Sequence, residues 1–130
     1  MSWKRTGLLL LIVFYFVAGV NHFVMPGFYG PLIPDYFPAK NALNTISGIA
    51  EILLAGGLAI QKTRSIAAFG IIVLLVAFIP AHVHFIQAGA CFEGSLCVPL
   101  WVAWVRLFPI HLLLMLWAWW CRDAVAFYEK

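Results

Sequence analysis

Four long apolar runs constrain the fold of this sequence more than any other feature. A helix needs about 20 residues to cross a hydrocarbon core of about 30 Å, and each run has that length. The proline-rich stretch 26–38 and the polar turn 61–65 interrupt the apolar pattern. We therefore predict an all-α bundle of four transmembrane helices that run antiparallel, up and down, in a single domain over residues 1–130. The predicted helices cover residues 7–25, 42–60, 66–87 and 98–121.

Composition excludes an ordinary soluble domain. Apolar residues make up 65% of the chain and charged residues 10%, whereas a soluble domain has about 25% charged residues. The apolar excess is expected to face the lipid bilayer. The net charge of +3 is spread over the chain ends and one turn and forms no basic tract, so we expect no nucleic-acid partner.

The distribution of lysine and arginine predicts an orientation. Because cytoplasmic loops are enriched in these residues, we expect both termini on the cytoplasmic side of a bacterial inner membrane. The other side's loops offer only Lys40. The predicted cytoplasmic residues are Lys4, Arg5, Lys62, Arg64, Arg122 and Lys130.

Polar residues inside the apolar runs are the main indication of a function. On the predicted topology they all fall in the outer half of the bilayer. An ionised side chain near the bilayer centre costs about 3 kcal/mol, so Glu51 and Arg106 are expected to face the interior, and an ion pair between them is one of the alternatives. Asn44, Ser47 and Glu51 form one polar stripe along the second predicted helix. Gly48 lies beside this stripe and allows a neighbouring helix to approach closely. The outer-half set is Asn21, His22, Asn44, Ser47, Glu51, His82, His84, Gln87, Arg106 and His111.

Three interpretations of this cluster remain open. In the structural one, Glu51 and Arg106 form a buried ion pair and the histidines lie at helix ends. In the second, a polar pocket binds a small hydrophobic ligand such as a quinone or a lipid. In the third, His82, His84 and His111 bind a metal ion or haem, although no histidine pair has metal-binding spacing on one helical face. The predicted ligand-binding residues are Glu51, Arg106, His22, His84, His111, Asn21 and Ser47.

The cysteines divide between two compartments. Cys91 and Cys97 lie in the predicted outer loop, where a structural disulfide is expected. A pair that passes electrons to a quinone is the alternative, but such pairs generally have Cys-x-x-Cys spacing. Cys121 is expected to be a free cytoplasmic thiol.

Several segments together resemble the DoxX-like family of small four-helix bacterial membrane proteins. They are residues 18–23 with the prolines that follow, residues 47–54, residues 80–84, and Arg106-Leu107 with Pro109. The resemblance implies an association with a thiosulfate:quinone oxidoreductase, or an accessory or assembly role in a larger membrane complex. A homo-oligomer is the alternative to a larger complex. Residues 1–19 also resemble a secretory signal, but His22-Phe23 belongs to the family pattern, so we expect helix 1 to be retained.

The sequence departs from the family pattern at two places. One extra residue separates Arg106-Leu107 from Pro109, and a histidine stands at position 82 where an asparagine is usual. Both changes add histidines to the same layer, which favours metal or haem slightly more than the family pattern does.

Overall fold

The computed structural model describes residues 2–125, and its regular structure is helical. A 3₁₀ turn, Gly30–Leu32, follows α2, and a distorted segment, Arg106–Ile110, joins α5 to α6. Lys130, which entered the charge distribution above, lies outside the described residues. The helices are α1 (Trp3–Val24), α2 (Pro26–Tyr29), α3 (Lys40–Ala59), α4 (Arg64–Gln87), α5 (Leu100–Val105) and α6 (His111–Cys121).

Four of the helical stretches are long and apolar enough to cross a membrane. They are α1, α3, α4 and the composite helix Leu100–Cys121, which contains α5 and α6. Only 11% to 28% of each apolar window is buried inside the chain. The outward surface of each helix is therefore largely apolar, and lipid is the environment that suits it. The chain is thus indicated to be a multi-pass membrane protein.

The composite fourth helix is not continuous, which corrects the prediction for residues 98–121. It begins at Leu100 and is interrupted at Phe108, whose backbone is extended (φ −148°, ψ 122°). Pro109 follows directly. Because proline lacks an N–H group and its ring clashes with the preceding turn, the helical hydrogen-bond ladder cannot run through this point.

The four long helices form a closed ring in which each packs against two neighbours. α1 packs against α3 and α6, and α4 packs against α3 and the composite helix. Within residues 2–125, α3 and the composite helix make no close backbone contact, and neither do α1 and α4. These two pairs therefore lie diagonally across the bundle.

One end of the bundle is tightly packed. Arg64, which is 1% exposed, donates to the carbonyl oxygens of Leu58 (2.7 Å), Ala59 (3.2 Å) and Ala124. Lys4 forms an ion pair with Asp123 at 2.5 Å. These contacts hold the start of α1, the turn between α3 and α4, and the segment after α6 together.

The other end carries the connection between α1 and α3 and the loop between α4 and α5. Cys91 and Cys97 form a disulfide in this loop. The Ser95 hydroxyl donates to the carbonyl oxygen of Phe28 at 2.5 Å. The disulfide loop is thereby attached to the segment that follows α1.

Candidate functional site

A close crossing of α1 and α3 positions the first group of polar side chains. Gly19 and Gly48 face each other, and a Cβ atom added to either would meet atoms of the opposite helix within 3.0 Å. Small residues permit such an approach. His22 follows Gly19 by three residues and Glu51 follows Gly48 by three, so both side chains lie beside the crossing.

Asn44 fixes the orientation and the tautomer of His22. The Asn44 amide nitrogen donates to the backbone oxygen of His22 at 3.0 Å. Its Oδ1 atom therefore faces His22 Nδ1, which lies 2.7 Å away. Because Oδ1 only accepts hydrogen bonds, Nδ1 carries a proton and donates it. The second ring nitrogen, Nε2, points to Glu51 Oε2 at 3.5 Å.

Tyr29 of α2 covers the other side of this histidine. Its ring stacks on the His22 ring with centroids 3.8 Å apart. The Asn21 amide nitrogen donates to the Tyr29 hydroxyl oxygen at 2.8 Å. Burial raises the pKa of Tyr29, so the phenol stays neutral at physiological pH.

A second polar group lies on α4 and the composite helix. The His82 and His111 rings meet edge to face, with centroids 4.7 Å apart. His111 Nε2 donates to the carbonyl oxygen of Leu75 at 2.5 Å. The guanidinium carbon of Arg106 lies 5.4 Å from the centroid of the Phe85 ring, which is within cation–π range.

The break at Phe108 explains how Arg106 and His111 reach the same space. On an uninterrupted helix, residues five apart point about 140° away from each other. The extended backbone at Phe108 changes this relation, and both side chains line one cavity.

This cavity has a volume of about 620 Å³ and is lined by residues from all four long helices. Ligand sites typically measure about 300–1,000 Å³, with mostly apolar walls and a few polar groups. The apolar lining includes Phe14, Phe78 and Leu114. The polar and titratable lining residues are Tyr15, His22, Tyr29, Asn44, Ser47, Glu51, His82, Arg106 and His111.

Three residues that line the cavity each carry a buried polar side-chain atom without a hydrogen-bond partner. These atoms are Tyr15 Oη, Glu51 Oε2 and Arg106 Nη1, and they are the complete set of such side-chain atoms found in residues 2–125. An unsatisfied buried polar group costs about 1–3 kcal/mol. All three belong to residues that line the cavity, but each atom is itself almost fully covered, so a bound molecule would reach it only through a small shift of its side chain.

Glu51 and Arg106 do not form the buried ion pair of the structural interpretation. In the described part of the chain, the carboxyl group of Glu51 lies beside the His22 ring, and Arg106 packs on Phe85. The reason is the order of helices in the ring, because α3 and the composite helix are diagonal to each other. The two charges therefore lie on opposite walls of the cavity.

The structure brings together five of the seven predicted ligand-binding residues. His22, Ser47, Glu51, Arg106 and His111 all line the cavity. Asn21 lies behind Tyr29 and holds its hydroxyl. His84 does not line the cavity, since its ring stacks on Phe92 with centroids 5.6 Å apart.

Two lining residues that sequence reasoning did not select are Tyr15 and Tyr29. Tyr15 precedes Gly19 by four residues, so it shares the helical face of Gly19 and His22. That spacing is a signal which could have found it. Tyr29 has no comparable signal, since its place over His22 depends on how the chain turns after α1.

The three histidines considered for metal or haem do not converge. His82 and His111 are adjacent, but His84 points towards the disulfide loop. Over residues 2–125, no three histidine, cysteine, aspartate or glutamate side chains form a group that could hold a metal ion. His82 and His111 remain as a pair, and His111 already donates a hydrogen bond to the carbonyl oxygen of Leu75.

All the residues that line the cavity lie in the part of the chain that matches a known family. Residues 11–122 match a family described as Domain of unknown function (DUF8561). No curated protein and no solved structure matches the chain. Because the match covers most of the sequence, the chain belongs to the DUF8561 family of domains of unknown function.

Proposed function

We propose that this protein binds a small amphipathic molecule, of the quinone or lipid kind, in the 620 Å³ cavity. The observation that carries the proposal is that three residues lining one cavity, Tyr15, Glu51 and Arg106, each carry a polar side-chain atom without a hydrogen-bond partner. A ligand head group that pairs with these atoms would offset the free-energy cost of burying them without partners.

The two walls suit different atoms of such a ligand. Arg106 offers a charged N–H donor, which suits a carbonyl or acidic oxygen. Glu51 offers an acceptor on the opposite wall, and the Tyr15 hydroxyl can both donate and accept. The apolar lining, including Phe78, Ile110 and Leu114, would enclose the hydrocarbon part of the molecule.

We also propose an orientation and a cellular location for the protein. The four long helices run antiparallel in a bacterial inner membrane, with both termini in the cytoplasm. The end that carries Lys4, Lys62 and Arg64 has most of the positive charge, which supports a cytoplasmic position. The cavity then lies in the outer half of the bilayer.

Extraction of bound molecules tests the proposal. Wild-type protein and the variants Arg106→Ala and Glu51→Gln would be purified in mild detergent, extracted with organic solvent and analysed by mass spectrometry. We expect a molecule bound in stoichiometric amount to wild type and reduced in both variants. His84→Gln is the matched control, since His84 lies outside the cavity lining, and it should retain the molecule. If folded Arg106→Ala and Glu51→Gln proteins retain as much as wild type, the assignment is wrong.

A further inference from the structure

The Asn44–His22–Glu51 chain ends in two atoms that cannot hydrogen-bond unless a proton lies between them. Nδ1 of His22 is committed as a donor to Asn44. In a neutral imidazole the other nitrogen, Nε2, is then an acceptor. It faces Glu51 Oε2 at 3.5 Å, and an ionised carboxylate also only accepts.

Burial makes that arrangement costly without a shared proton. His22 is 7% exposed and Glu51 is 5% exposed, and the 3.5 Å between Nε2 and Oε2 leaves no room for a water molecule between them. Two facing lone pairs would repel, and both atoms would remain unsatisfied in a low-dielectric site. One proton between Nε2 and Oε2 removes this conflict, whether it lies on the histidine or on the glutamate.

Glu51 Oε2 keeps an unused acceptor direction even then. The separation of 3.5 Å is too long for a fully formed hydrogen bond, and Oε2 has no other partner within residues 2–125. Glu51 itself lines the cavity. A ligand hydroxyl can donate to its carboxyl group, whereas a ligand oxygen without a hydrogen can only accept.

We propose that the Glu51–His22 pair holds one proton and selects ligands whose head group carries a hydroxyl, such as a phenol or an alcohol, over ligands with acceptor oxygens only. This inference rests on the proposed ligand-binding function and specifies its ligand class. Other titratable and charged groups face the same space from every packed element. They are Tyr15 from α1, Tyr29 from α2, His82 from α4, and Arg106 and His111 from the composite helix.

The shared proton can be tested without a ligand. Nitrogen-15 and carbon-13 NMR of the protein in a bilayer would report the protonation of the His22 ring and of the Glu51 carboxyl. We expect Nδ1 to be protonated and, at neutral pH, one further proton on Nε2 or on the Glu51 carboxyl. A neutral ring with a bare Nε2 beside an ionised Glu51 would overturn the proposal.

A matched pair of probes tests the ligand class. The probes are 2-naphthol and its methyl ether, 2-methoxynaphthalene, measured by fluorescence with protein in nanodiscs and corrected for empty nanodiscs. A hydrogen bond to a charged acceptor corresponds to about tenfold in affinity, so wild type should prefer the naphthol by about that factor. Glu51→Leu should abolish the preference, and His84→Gln should keep it.

The outcomes separate this inference from the proposed function. Equal affinity of wild type for the two probes would overturn the hydroxyl selection and leave ligand binding standing. Absence of any saturable binding of either probe, together with no extracted molecule, would overturn both. Glu51→Gln provides a second variant if Glu51→Leu does not fold. It retains an acceptor oxygen, so it should keep part of the preference for the naphthol.

Discussion

Gly19 of α1 and Gly48 of α3 face each other in direct contact where the two helices cross. A methyl group on Gly19 would lie 2.8 Å from the carbonyl oxygen of Gly48, and one on Gly48 would lie 3.0 Å from the carbonyl oxygen of Gly19. Both obstacles are backbone atoms, which cannot rotate away as a side chain can. The crossing therefore sets the distance between the helices that carry His22 and Glu51.

The first prediction concerns this crossing. Gly19→Ala and Gly48→Ala should each destabilise the protein by about 1–3 kcal/mol, since overpacking forces the backbone apart. Separation of α1 and α3 should also lower the amount of the proposed ligand that co-purifies with the protein. Stability would be measured by thermal unfolding in detergent. Gly56→Ala is the control, because a Cβ atom there has no neighbour within 4 Å and alanine favours the helix. Equal stability of all three variants would contradict the prediction.

The second prediction concerns Asn44. Asn44→Ala removes the acceptor for His22 Nδ1 and the donor to the His22 backbone oxygen. Leaving those buried groups unpaired should cost about 1–3 kcal/mol. The His22 ring should also lose its fixed tautomer, which nitrogen-15 NMR would show as a mixture of Nδ1- and Nε2-protonated forms. Asn41→Ala, at an exposed position in the first turn of α3, should change neither property. A single unchanged tautomer in Asn44→Ala would show that Asn44 does not set it.

Much of the fold could be predicted from the sequence because its main signal is local. Hydrophobic runs of membrane-spanning length fixed the number of long helices, and the polar turn 61–65 placed the boundary between α3 and α4 within a few residues. The resemblance to the DoxX-like family stays a prediction. The interruption of the fourth helix was harder to predict, because a proline in a membrane helix can either kink or break it.

The candidate site was predictable in its residues but not in its contacts. Spacing along α3 placed Asn44 and Glu51 on one face, and both face the cavity. The partner of Glu51 depends on which helices are neighbours in the ring and which are diagonal. The spacing of residues along one helix does not indicate that order. For the same reason the sequence left an ion pair of Glu51 with Arg106 open, whereas the structure places Glu51 beside His22.

The third prediction concerns the buried arginine at the opposite end. Arg64→Ala would leave the carbonyl oxygens of Leu58, Ala59 and Ala124 without their charged donor. Hydrogen bonds to charged groups contribute about 1.5–3 kcal/mol each, and water can replace some of them, so we expect a loss of about 3 kcal/mol. The measurement is unfolding by SDS titration. Lys62→Ala, at an exposed position in the same turn, should have stability close to that of wild type, and a similar loss in both variants would contradict this role.

The fourth prediction concerns the orientation in the membrane. Asp35 lies in the connection between α1 and α3, with its side chain 88% exposed, and Lys62 lies exposed in the turn between α3 and α4. Asp35→Cys removes an exposed ion pair with Lys40, which contributes little to stability. A membrane-impermeant maleimide added to intact spheroplasts should label Asp35→Cys at once and Lys62→Cys only after lysis. The native cysteines should give little background, since Cys91 and Cys97 are bonded to each other and Cys121 is buried. Labelling of Lys62→Cys in intact spheroplasts would reverse the orientation and place the cavity in the cytoplasmic half of the bilayer.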